Sequence, residues 1–477
     1  MNHVTAGICL AVGIAAAGAR ADIDDRLTAL EKELATMRRQ LTEQESRNKQ
    51  LTEELEQIRR ELVPASSVAA PIPATATQTM PPPDVVAEKA IDDTAPPKGE
   101  DDERGISVAL LNGDSRLLIS GDFNFMAMYS DRRPFVPGSP LYLLPLPSEG
   151  TSDFNGRQSR LNFAFMGPEL AGWNVGGLAT FGFQNNLTAE GYGFGPYVAY
   201  GEVRNDDWRF AAGLQYDILN PRDPKTIPNT LLAASGNAGA ARNQIRVERF
   251  LHASEDWQAT LQMGVSDPIS TRIVDNSSIL EDDGRPNLEG RLLIGLGESR
   301  ELAGKRRARP VEVAVSGMHG GMRTLEGGAN GALRQTSIDS WALGADTHLS
   351  ITDRMGIVGE FFTGEGLGEY LGGIGQSYNR GTGAAISTTG GWGEFYAYLR
   401  DDLHIHLGYG IDTADTAQLG NGQMSRNETA YGTLVWDLSA RLQMSFELDY
   451  RRTTYFRSGG DSLYDGLLYM SGVTWKF

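Results

Sequence analysis

The stretch Leu442-Gln443-Met444-Ser445-Phe446-Glu447-Leu448-Asp449-Tyr450-Arg451 decides the fold class: every second residue is apolar and every residue between is polar. Side chains alternate across a β-strand with a period of two, so one face carries leucine, methionine and aromatics and the other carries carboxylates, an amide and a guanidinium. An α-helix would scatter both classes around its axis. Two further segments repeat the pattern. Trp208, Phe210, Ala212, Leu214 and Tyr216 oppose Arg209, Gln215 and Asp217, while Leu403, Ile405, Leu407, Tyr409 and Ile411 oppose His404, His406, Gly408, Gly410 and Asp412.

Outward from these, about sixteen such segments run from Arg116 onward: near 116–130, 158–168, 171–185, 193–205, 207–217, 242–253, 256–265, 286–296, 308–318, 336–349, 353–363, 389–400, 403–413, 426–437, 440–453 and 463–477. Long connections (131–157, 218–241, 266–285, 319–335, 364–388) take turns with tight ones such as Asn205-Asp206-Asp207, Ser254-Glu255, Thr352-Asp353 and Asp401-Asp402. A soluble β-sandwich also alternates but has no reason to sort its loops by length. An even strand count with every short turn at one end is the arrangement of a transmembrane antiparallel β-barrel. The segment Gly297 to Arg309 breaks the rule, being longer than its side should allow. In the final strand Tyr469, Val473, Trp475 and Phe477 share one face, resembling the C-terminal aromatic signature of outer-membrane barrels.

The rest of the chain divides by composition. An apolar run from Ile8 to Gly18 ending in Ala19-Arg20-Ala21 predicts a signal peptide over 1–21. It is shorter than the ~20 residues of a spanning helix. From Asp22 to Leu62, Ile23, Leu27, Leu30, Leu34, Met37, Leu41, Gln44, Asn48, Leu51, Leu55, Ile58 and Leu62 step by threes and fours, which predicts a coiled coil roughly 60 Å long. Buried Gln44 and Asn48 would fix register, and the mixed core positions leave two or three strands open. Pro64 ends the helix, and residues 63–104 form a Pro/Ala-rich, aromatic-free spacer before a barrel over 105–477.

A formal charge of −18 argues against nucleic acid, whose phosphates need a dense basic surface. The lone cysteine, Cys9, lies inside the signal segment, so the mature chain has no disulfide, thiolate metal site or thiol nucleophile. His404 and His406 with Asp412 have a spacing that could hold a metal, but as lumen-facing polar residues they need no ion. His319 alone among the mature histidines has outward parity and has no assigned serine partner. Gly364-Glu365-Gly366-Leu367-Gly368 is followed by no helix that could cradle a phosphate. No catalytic residues, cofactor or metal are expected.

Arg157-Gln158-Ser159-Arg160-Leu161-Asn162-Phe163, Tyr200-Gly201-Glu202, and the stretch Leu219 to Arg249 through Pro221, Pro228, Arg242, Gln244 and Arg246 resemble the DcaP-like family of trimeric porins. The phosphate-selective porins have a similar layout. The resemblance implies a homotrimer with a periplasmic coiled coil ahead of a sixteen-stranded barrel, and dicarboxylates among its solutes.

Parity then assigns the lumen, because Arg or Lys on the lipid face near the midplane costs about 2–4 kcal/mol. Arg160, Arg242, Arg246, Arg204 and Tyr200 point inward with Glu202 and Glu248. The loop 218–241, stiffened by Pro221, Pro224 and Pro228, is the candidate to fold into the barrel, carrying Arg222, Asp223 and Lys225. The expected function is passive diffusion of small hydrophilic solutes across the bacterial outer membrane, with inward arginines favouring anions. The competing expectation is a structural barrel whose coiled coil tethers the envelope, touching periplasmic structures or peptidoglycan. The partners are outer-membrane lipid, further copies of the chain, and small anionic solutes.

Overall fold

The computed structural model describes residues 105–110, 115–136, 138–147, 149–184, 192–254, 256–269, 279–305, 307–327, 333–379 and 381–477. The expected signal peptide, coiled coil and spacer lie outside the described residues. Sixteen long strands build one closed antiparallel barrel. They are β1 (Ser115–Ser130), β2 (Arg160–Leu170), β3 (Trp173–Gln184), β4 (Tyr192–Arg204), β5 (Trp208–Tyr216), β6 (Ala241–Ser254), β7 (Trp257–Ser266) and β8 (Asn287–Leu296). The second half comprises β9 (Val311–Gly327), β10 (Leu333–Ser350), β11 (Met355–Glu365), β12 (Ser387–Arg400), β13 (Leu403–Ala414), β14 (Met424–Ser439), β15 (Leu442–Tyr455) and β16 (Ser462–Lys476). All sixteen expected segments are present.

Each strand pairs with its neighbours in sequence, and β16 closes on β1 from Asp122↔Lys476 to Ser130↔Leu468. At the seam Gly121 exchanges both backbone hydrogen bonds with Phe477, at 3.1 and 3.0 Å. A Cβ at Gly121 would lie 2.4 Å from the Arg160 carbonyl oxygen and 2.8 Å from the Phe477 ring, so only glycine fits there. Short strands Ile106–Leu110 and Thr151–Asn155 pair with stretches of β1.

Burial shows which solvent the barrel was built for. On β15, Phe446, Leu448 and Tyr450 are 40–46 % exposed, whereas Glu447, Asp449 and Arg451 are at most 5 % exposed. The apolar row faces out and the polar row is enclosed, the reverse of a soluble protein and the pattern that lipid requires. Leu407, Tyr409, Trp208, Phe210, Ile245, Met263, Val315, Leu343, Phe361 and Leu434 belong to the same outer surface.

Two expectations are corrected in detail. The expected loop 319–335 is largely strand: β9 runs to Gly327 and β10 begins at Leu333, with the ladder continuous to Gly327↔Leu333. Gly320 and Gly321 interrupt the apolar alternation without interrupting the backbone hydrogen bonds. Part of the expected loop 266–285 likewise pairs with β9, as strand Ile279–Asp282. The overlong turn at 297–309 is a small hairpin, Arg300–Glu301 against Arg307–Ala308. It folds back, burying Leu302 and donating the Ala303 amide to the Asp353 carbonyl.

Candidate channel constriction

The chain leaving β5 at Asp217 turns into the barrel and crosses it before re-entering the wall at β6. Four of its backbone amides are taken by carboxylates on the inner wall. Ile218 N donates to Glu289 of β8 at 2.8 Å, Arg222 N to Glu360 of β11 at 2.5 Å, Lys225 N to Glu394 of β12 at 2.7 Å, and Ile227 N to Glu447 of β15 at 2.6 Å. Local turns satisfy some of the loop's amides, such as Leu231 N on the Pro228 carbonyl and Ser235 N on the Leu232 carbonyl; the others must find acceptors on the wall, and a buried carboxylate is a strong one. Further along, Asn229 accepts from Arg160 of β2 at 3.1 Å, and Asn427 of β14 donates to the Ala234 carbonyl at 2.7 Å.

The returning limb is pressed against the wall. Gly236 has φ +108°, and a Cβ there would meet the Gly391 carbonyl oxygen at 2.1 Å. Leu231, Leu232 and Ala234 are held at positive φ. Left-handed backbone costs roughly 1–2 kcal/mol per residue away from glycine, so the surrounding contacts impose this conformation. Two other long loops join it: Leu141 and Tyr142 pack with Ala233, Ala234, Leu371 and Ile374 in one buried apolar cluster.

The inward residues expected from parity are inside, but they do different things. Arg242 is completely enclosed: it donates to Asp217 at 2.5 Å and to the carbonyls of Asp267, Pro268 and Glu369, and stacks 3.8 Å over Tyr370. Arg222 is likewise enclosed, bonded to Asp346 at 2.5 Å and Glu312 at 3.2 Å. Glu202 and Glu248 both hold Arg209, at 2.6 and 2.9 Å. Arg204 is buried on β4, in register with Arg209.

Between the loop and the β4–β8 wall a cavity remains, lined by Tyr200, Arg209, Arg246 and Arg291 from the wall and Asp217 and Asp223 from the loop. Arg246 makes only a long ion pair there, 3.6 Å to a Glu248 already engaged by Arg209 at 2.9 Å. Its other bonds go to neutral groups, the Tyr216 carbonyl and Gln244. Lys225 offers its amide to Glu394 beyond this cavity. From the sequence Arg209 is read only as a polar-face residue and Arg291 is not named, although both have inward parity. The acidic acceptors on β8 to β15 were missed as well. Among the described residues no group of three or more His, Cys, Asp or Glu is placed to hold a metal, and His404 and His406 bond to each other at 2.8 Å.

A closed sixteen-stranded barrel with a loop folded across its interior is a recognisable architecture. The fold is similar to that of the outer-membrane channel DcaP of Acinetobacter baumannii. The two superpose with a TM-score of 0.58 at 13 % identity, over 78 % of this chain and 100 % of that one. An anion-selective porin from Comamonas acidovorans aligns over 76 % of this chain and all of its own, at 11 % identity and a TM-score of 0.48. Outer-membrane-expressed OmpT of Vibrio cholerae aligns over 78 % and 100 %, at 10 % identity and a TM-score of 0.48. No family model and no curated protein matches the sequence.

Proposed function

We propose that the chain is a bacterial outer-membrane channel for passive diffusion of small hydrophilic solutes, with a constriction between the loop after β5 and the arginine-bearing wall of β4–β8. The observation that carries this reading is the cavity on that wall. Arg209, Arg246 and Arg291 converge on it while the rest of the loop is tied to carboxylates across the barrel. Fixed guanidiniums in a narrow low-dielectric passage attract anions and keep their charge at any relevant pH. Asp217, Asp223 and Glu248 moderate the field, so the preference is modest and favours compact anions, dicarboxylates among them. Arg160 supports the constriction by holding Asn229.

In this reading residues 22–62 form a periplasmic coiled coil that joins copies of the chain, with trimer as the expected number, and 63–104 space it from the barrel. Recording from the purified protein in planar bilayers tests the function. Discrete conductance steps with an anion-favouring reversal potential support it, and folded protein that conducts nothing leaves the envelope-tethering role instead.

A further inference from the structure

At the short-turn end of the barrel, away from the arginine wall, a file of hydrogen-bonded side chains ends in one position unlike the others. Glu394 of β12 accepts from Lys225 N and from Tyr431 Oη through Oε2, at 2.7 and 2.6 Å, and binds His406 Nδ1 through Oε1 at 2.7 Å. His406 Nε2 faces His404 Nδ1 at 2.8 Å, and His404 Nε2 faces Asp437 Oδ2 at 3.7 Å.

Proton counting assigns the tautomers. A neutral imidazole has one N–H and one bare nitrogen. His406 must carry its hydrogen on Nδ1, since a bare nitrogen 2.7 Å from a carboxylate oxygen would set lone pair against lone pair. Its Nε2 is then an acceptor, and His404 supplies the hydrogen from Nδ1. That leaves His404 Nε2 bare and turned toward a carboxylate, so a proton added there breaks none of these bonds and creates an imidazolium between His406 and Asp437.

We propose that His404 is a proton-binding site that adds one positive charge to the barrel interior at this end on mild acidification, raising the channel's preference for anions. The inference rests on the channel reading above. The other groups facing the site are Tyr398, stacked on His404 with ring centres 4.6 Å apart, Tyr396, beside His406 and bonded to His348 of β10, Gln443 of β15 and Lys476 of β16, which approach Asp437 at 2.8 and 3.7 Å, and the Lys225 cation of the inward loop, whose charge acts on His404 against the added proton. Of these, histidine is the side chain whose ordinary titration falls between pH 5 and 8, which leaves His348 as the competing proton acceptor.

The test is the reversal potential of full-length channels in a potassium chloride gradient, with the chamber on the short-turn side moved from pH 7.5 to 5.5. Wild type is expected to raise its anion-to-cation permeability ratio by about twofold or more. The H404N variant, whose side-chain amide can replace the Nδ1–H donor but cannot be protonated, should conduct at pH 7.5 like wild type and show no acid shift. H404Q serves as a second variant, with the same expectation. Conducting wild-type channels without an acid shift overturn the proposal, and so does a full shift retained in either variant. A protein that forms no channels fails the underlying reading instead.

Discussion

Nε of Arg222 and Oδ1 of Asp346 lie 2.5 Å apart inside the barrel although 124 positions separate them in the chain. Asp346 also takes two bonds from Arg291, at 2.8 and 2.9 Å, so one carboxylate on β10 fastens the inward loop and orients an arginine of the cavity wall. The loop's position and the wall's charge are therefore coupled.

Asp346→Asn should cost more stability than Arg222→Met. The first leaves two buried guanidiniums short of a partner, a loss of about 3–5 kcal/mol, while the second leaves Asp346 still held by Arg291. Heat-induced mobility shifts of the detergent-solubilised protein rank the two, and the reverse order would contradict the assignment.

Gly236→Ala should displace the returning limb, because the new methyl meets the Gly391 carbonyl oxygen at 2.1 Å and the φ of +108° disfavours any side chain. The barrel ladder is untouched, so the expected result is a folded protein with larger and noisier conductance steps. Unaltered steps would show that this limb does not narrow the passage.

Arg246→Gln and Arg242→Gln should part company. Arg246 faces the cavity, and its replacement is expected to move the reversal potential toward cations with little change in thermal stability. Arg242 is enclosed and paired to Asp217, so its loss should lower stability and leave selectivity nearly unchanged. Equal shifts in reversal potential from both would refute the distinction.

Much of the fold was legible because lipid and lumen impose opposite demands on alternate residues. In Leu442 to Arg451 every side chain announces its face. The reading failed where glycine carries no such signal: Gly320-Gly321 looked like a loop although the ladder runs through it. Parity also placed Arg160, Arg242 and Arg246 inside, but not what they touch. Arg242 meets Asp217 and Tyr370, and Glu447 meets the amide of Ile227, 220 positions away. Such pairings depend on where an irregular loop lies, and no periodicity encodes that.

Residues 22–62 are expected to associate through the seam from Ile23 to Leu62. Sedimentation of this segment and of the full chain in mild detergent checks it. Both should be oligomeric with the same stoichiometry, and two monomers would remove the coiled coil from the account.

In the proposed reading this barrel conducts through a passage whose arginines set its charge preference. Its most direct test is the reversal potential of wild type and Arg246→Gln in the same potassium chloride gradient, recorded from channels of the full-length protein at pH 7.5. Wild type should show an anion-favouring potential and the variant a shift toward cations. Identical potentials, or a folded wild-type protein with no conductance, would contradict it.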